Sequence, residues 1–217
     1  DAGGLAATIS AMRRYGDDAA LLQIGCGAIA NVANDTSYVK LAIDAESLEA
    51  VACAMKKHEK AGELQGDACL ALANFASDSN GPGREALLDT VGFAPILRAL
   101  KVHGESHGKT KYWGLAALAN LTSSEGGDAK DLLVQENGLR VVVKVMRANR
   151  SIEEREVLRM GCRILTNFAA HQRWQDVEAS EGLDEAIQLL NLKSIPADLS
   201  EEIIRTLANV TFSSGEG

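Results

Sequence analysis

The sequence predicts an all-α chain, a right-handed α-solenoid of about five stacked three-helix repeats, the first of them incomplete. Three observations carry that prediction. One short pattern recurs five times: GCGAIANVA (25–33), ACLALANFA (68–76), GLAALANLT (114–122), GCRILTNFA (161–169) and IIRTLANVT (203–211). Its Asn falls at Asn31, Asn74, Asn120, Asn167 and Asn209, giving spacings of 43, 46, 47 and 42 residues, the length of one helical-repeat unit. With 3 prolines and 4% aromatics in 217 residues, the core is left to Ala, Leu, Ile and Val, which favours closely packed helices over sheets.

Each element follows from these columns. Residues 1–16 read as the second helix of a repeat whose beginning is missing, and the repeats then run roughly 1–34, 35–80, 81–124, 125–170 and 171–213, as one domain. Second helices open on a small residue followed by an apolar one: Gly4-Leu5, Ser47-Leu48, Gly92-Phe93, Gly138-Leu139 and Gly182-Leu183. The stretches behind these markers, such as GFAPILRAL and GLRVVVKVM, place apolar residues at helical spacing. Third helices carry the Asn pattern. Six before the Asn stand Gly25, Ala68, Gly114 and Gly161, small enough to let a neighbouring helix close in, until Ile203 breaks the column. First helices are short, as in REALLDT (84–90) and AKDLLVQ (129–135). Local signals agree: Ser151 with Glu154 forms a capping box, Thr110 caps the helix that follows it, and Pro196 precedes the last helix.

The motif G-x-x-A-L-x-N-L, read in GLAALANLT and its four variants, together with the Gly-Leu helix starts, resembles the armadillo repeat family over essentially the whole chain. That resemblance implies a non-enzymatic scaffold or adaptor that binds a partner protein's extended or helical segment along a groove of third helices. It implies that Asn31, Asn74, Asn120, Asn167 and Asn209 hydrogen-bond the backbone of that segment. Asn also suits the end of its own helix, so a purely structural role stands beside the functional one.

Specificity falls to residues on the same face. Four before each Asn stand Gly27, Leu70, Ala116, Arg163 and Arg205, none of them the Trp that a nuclear import adaptor of the family would carry. Leu70 is thus an apolar groove residue. Arg163 and Arg205 give the C-terminal half a preference for acidic or phosphorylated segments, and Tyr112 and Trp113 are candidate aromatic anchors. The bland alternative makes Trp113 a core residue and the arginines a helix coating. A regulator clasping a folded GTPase or motor domain, and a regulatory arm of a larger enzyme, are the competing functions.

Other signals are excluded. A net charge of −8 opposes nonspecific nucleic-acid binding, and no apolar run is long enough to insert in a membrane. GESHGKT (104–110) lacks the first Gly of a P-loop, having His103 there, and His103 and His107 read as a solvated linker rather than a metal clasp. Cys26, Cys69 and Cys162, five before their Asn, read as small buried hydrophobes in a reducing cytoplasmic or nuclear setting. The clusters Glu153, Glu154, Glu156 and Glu201, Glu202 read as first-turn charges serving the helix dipole. No nucleophile-base constellation appears, so neither catalysis, metal nor cofactor is predicted. The Asp start predicts a fragment of a longer protein, with end-to-end self-association through a bare stacking face.

Overall fold

Chains rich in Ala and Leu but poor in Pro fold into helices wherever a cap or a left-handed residue lets one start, and that is how this sequence is punctuated. A computed structural model describes residues 2–77, 81–124, 127–170, 172–192 and 195–214. Contacts cluster in two compact units, residues 1–121 and 122–217.

The N-terminal unit runs α1 (Ala2–Arg14), α2 (Ala19–Ala33), α3 (Thr36–Asp44), α4 (Ser47–Lys57), α5 (Gly62–Phe75), α6 (Pro82–Thr90), α7 (Ala94–His103) and α8 (Gly108–Leu121). The C-terminal unit runs α9 (Asp128–Gln135), α10 (Gly138–Ala148), a 3₁₀ turn (Ile152–Glu154), α11 (Arg155–Ala169), α12 (Trp174–Ala179), α13 (Gly182–Leu190) and α14 (Ala197–Ser214). The chain is therefore an all-α solenoid in which α2, α5, α8, α11 and α14 are the third helices.

The turn into each of the second helices α4, α7, α10 and α13 is set by one left-handed residue: Glu46 (φ 60°), Gly92 (φ 66°), Asn137 (φ 56°) and Glu181 (φ 64°). Close packing explains the Gly of the marker itself at position 138, where a Cβ would stand 2.1 Å from Leu133 Cδ1. Ser47 takes the same place in the second repeat, and its hydroxyl is buried without a hydrogen-bond partner.

Packing follows the columns. Two before the Asn, Ile29, Leu72, Leu118 and Leu165 are all fully buried, each contributing about 1.5–3 kcal/mol. In the small-residue column, a Cβ on Gly25 would meet Met12 Sδ at 2.5 Å, and one on Gly161 would meet Met146 Cγ at 2.5 Å. Third helix thus presses on the second helix of its own repeat. Cys26, Cys69 and Cys162 are buried as small hydrophobes, and burial pushes the Cys26 and Cys69 thiols up to about 12.

Several local expectations are corrected. Thr110 lies inside α8, which starts at Gly108; its hydroxyl donates to Gly62 O at 2.9 Å, tying α8 to α5 instead of capping. Ser151 pairs with Glu153 rather than Glu154, because a 3₁₀ turn intervenes before α11. Glu201 and Glu202 sit one turn into α14, which begins at Ala197, and both face Arg205. His103 is no linker residue: it closes α7, is 9% exposed, and its Nε2 lies 2.7 Å from Glu59 O. In the preceding repeat His58 does the same, with Nε2 2.9 Å from Gly16 O.

Candidate functional site

Within the N-terminal unit, α2 packs on α5 and α5 on α8, so three Asn columns come to the same end of three adjacent helices. The amides are fixed by the backbone of the preceding repeat. Asn74 Nδ2 donates to Ala30 O at 2.8 Å, and Asn120 Nδ2 donates to Ala73 O at 3.0 Å. Each accepting carbonyl belongs to the residue just before the previous repeat's Asn. The ladder is therefore self-propagating: one Asn orients the next by way of the helix between them. Asn31 at its start is exposed.

Neither simple reading of these residues is complete. The bonds from Asn74 and Asn120 to Ala30 O and Ala73 O cross to the neighbouring third helix rather than running along their own helices. At Asn74 one amide N–H makes that bond, and the other N–H and the two lone pairs on Oδ1 are chemically able to pair with a peptide group. For Asn74 the structure uses only the bond to Ala30 among the described residues.

Around the ladder, Leu70 on α5 and Tyr112 and Trp113 on α8 are half-buried, with the two rings packed edge to face at 4.8 Å between centroids. On α2, Ile24 is 74% exposed. A polar bridge that the sequence reading missed crosses the same helices: Gln23 Nε2 donates to Asp67 Oδ2 at 3.0 Å, and Lys109 pairs with Asp67 Oδ1. Next to it His107 Nε2 lies 3.1 Å from Glu63 Oε1. A signal existed, since Ile24, Asp67 and Trp113 each stand seven before their Asn and share one face. Asp67 and Lys109 are paired with each other, while Glu63 stays largely exposed beside His107.

In the C-terminal unit α11 packs on α14. Asn167 Nδ2 donates to Thr122 Oγ1 at 3.2 Å, again reaching back rather than within its own helix. Asn209 is half-buried on α14. Arg163 is exposed, whereas Arg205 is engaged by its own helix, 2.8 Å from Glu201 Oε1 and 3.5 Å from Glu202 Oε2. A buried hydroxyl pair joins the two helices beneath, with Thr166 and Thr206 oxygens 2.7 Å apart and Glu202 Oε1 2.9 Å from Thr166. Among the described residues no group of three or more His, Cys, Asp or Glu could hold a metal ion, and no helix is long and apolar enough to cross a membrane.

Neither a protein-family profile nor a curated protein sequence matches the chain. Solved structures do. An engineered protein shares 25% identity at a TM-score of 0.78, over 99% of this chain and 50% of that one, so this chain spans half its length. A designed armadillo repeat protein in complex with the peptide (KR)4 shares 20% identity at a TM-score of 0.79, over 96% of this chain and 82% of that one. Computationally designed armadillo repeat proteins for modular peptide recognition give 19% identity and a TM-score of 0.79, over 94% and 81%. The likeness establishes an armadillo-like repeat fold.

Proposed function

We propose that this armadillo-type solenoid binds an extended segment of a partner protein on the face formed by its third helices, without catalysing a reaction on it. The observation that carries the reading is the anchored amide ladder, in which Asn74 and Asn120 are held by carbonyls of the preceding helix. Anchoring removes rotamer freedom before a ligand arrives, so little ordering entropy is lost when the amides meet a peptide backbone. The spacing of the ladder is the repeat itself, which suits a ligand of regular, extended shape. Designed proteins of the same fold made for peptide recognition support this use of the face.

The side chains suggest what kind of segment. One designed neighbour is described with (KR)4. Here Asp67 is paired with Lys109 and Glu63 lies beside His107, and the apolar groups on the face are exposed Ile24 with half-buried Leu70, Tyr112 and Trp113. The N-terminal unit therefore selects apolar side chains rather than a basic run. In the C-terminal unit exposed Arg163 favours an acidic residue, whereas Arg205 is already paired with Glu201 and Glu202 on its own helix.

The test is selection from a random peptide display library followed by anisotropy titration of the selected sequences. Asn31→Ala and Leu70→Glu alter the face without removing any of the hydrogen bonds that anchor the ladder. Selected peptides rich in apolar residues that lose about tenfold or more in affinity on each variant, with unchanged melting curves, support the reading. Peptides that bind both variants as they bind the wild type would overturn it.

A further inference from the structure

We infer that the N-terminal unit holds a second, separate binding site: a cavity between α4 and α7 that takes a small aliphatic carboxylate. It lies on second helices, which the peptide face does not use. Its volume is about 190 Å³, more than the roughly 150 Å³ of an apolar cavity that admits benzene. The walls are Ala52, Cys53 and Met55 from α4 and Ala94, Pro95 and Ala99 from α7, with Lys56, Glu59 and Arg98 also lining it.

What the cavity lacks can be read from the same seam in the C-terminal unit, between α10 and α13. Counted from the marker that opens each second helix, Lys56 and Arg147 both stand nine residues on, and Pro95 and Glu185 both stand three on. Glu185 fills the seam between α10 and α13. It is fully buried, receives Arg150 Nε at 2.8 Å and lies 3.2 Å from Arg147 Nε. By the same count Val143 and Leu189 stand where the N-terminal unit has Ala52 and Ala99. Three substitutions put a smaller or stiffer side chain in the open seam, and a fourth difference puts Glu59, itself paired with Arg98, where the filled seam has Arg150, so Lys56 is the one cation kept in register. The atoms missing are a carboxylate on a short stem and a few aliphatic carbons.

The cation that would meet that carboxylate is present. Arg98 is paired with Glu59, but Lys56, the counterpart of Arg147, is exposed and has no ion-pair partner among the described residues. Gln65 at the cavity wall has its amide committed, Nε2 donating to Met55 O at 2.8 Å and His58 O at 3.1 Å, so it offers little competition for the charge. A ligand with its carboxylate at Lys56 and its tail among Ala52, Ala94 and Ala99 restores the packing and one of the two ion pairs, that of Arg147, which the other unit builds from its own side chains.

The experiment is an amide-shift titration of the isotopically labelled full chain with hexanoate and with hexanol as the uncharged match. Hexanoate is expected to give saturable shifts at Ala52, Cys53, Ala94 and Ala99, with hexanol about tenfold weaker, the value of one charge-assisted contact. Lys56→Gln should erase that difference while sparing hexanol. Ala99→Leu, or Ala52→Val where the first lowers the melting point, should abolish binding of both. The inference is overturned by the absence of saturable shifts, by equal affinities for the two ligands, by a Lys56→Gln variant that keeps the preference, or by hexanoate binding that survives a filled cavity in a variant with wild-type melting.

Discussion

Two glycines of α2 stand two residues apart, and the same substitution at each is expected to have opposite sign. A Cβ on Gly27 would find its nearest atom, Asp67 Oδ1, at 3.9 Å. Gly27→Ala therefore keeps the gain of replacing Gly inside a helix, about 1 kcal/mol. A Cβ on Gly25 would stand 2.5 Å from Met12 Sδ and 2.6 Å from Met12 Cγ, and Met12 is only 3% exposed. Fitting a methyl into such a filled site costs about 1–3 kcal/mol against the same gain, a net loss of about 1 kcal/mol. The two variants then differ by about 2 kcal/mol, which for a chain of this size is a gap of roughly 4–8 °C between their melting points. Circular dichroism melts of the pair, run side by side, measure it. If Gly25→Ala melts at or above Gly27→Ala, the small-residue column does not exist to admit the second helix, and the packing argument built on it fails.

Four further outcomes follow from buried groups. Ser47→Ala should stabilise the chain by about 1 kcal/mol, because it removes a buried hydroxyl that has no partner; a lower urea midpoint would contradict that. Arg150→Ala should cost about 3 kcal/mol by leaving the fully buried Glu185 to Arg147 alone, and a loss near zero in a denaturant titration would show that the carboxylate does not depend on the pair. Thiol reagent at pH 8 should find Cys53 quickly and leave Cys26, Cys69 and Cys162 untouched until the chain unfolds. The Cys26 and Cys69 thiols are pushed up from an ordinary 9.0 to about 12, so the folded form holds protons that the unfolded form releases above pH 9. Stability is whole below pH 9 and falls by about 1.4 kcal/mol per pH unit for each thiol as the pH climbs toward 12; an unfolding free energy that stays flat from pH 9 to 11 would refute it.

Much of the fold was legible because burial repeats with the chain. The columns around Asn31, Asn74, Asn120 and Asn167 each meet the same neighbours, so the same residue types recur and can be read without coordinates. What escaped was chemistry whose partner lies one repeat away. His58 and His103 stand 11 after Ser47 and Gly92, a regularity present in the sequence, yet only geometry shows their rings against Gly16 O and Glu59 O. Arg205 looked like a free cation because its competitors Glu201 and Glu202 were placed in a first turn rather than beside it. The Asn columns point to a peptide ligand or to their own helix ends, and the bonds of Asn74 and Asn120 to Ala30 O and Ala73 O add a contact to a neighbouring helix that pattern reading alone does not position.

The reach of the Asn and His bonds also decides how the N-terminal unit answers to force. Asn74 to Ala30 spans 44 residues, Asn120 to Ala73 spans 47, His58 to Gly16 spans 42 and His103 to Glu59 spans 44. Each clasp closes a loop one repeat long and fastens a repeat only to its predecessor. A load drawn along the chain meets these clasps one after another rather than together, and releasing one frees about a repeat's length of chain while the next still holds. Tension would be shed in increments, as in a chain of links that open singly, and each link would re-form from the neighbour still folded.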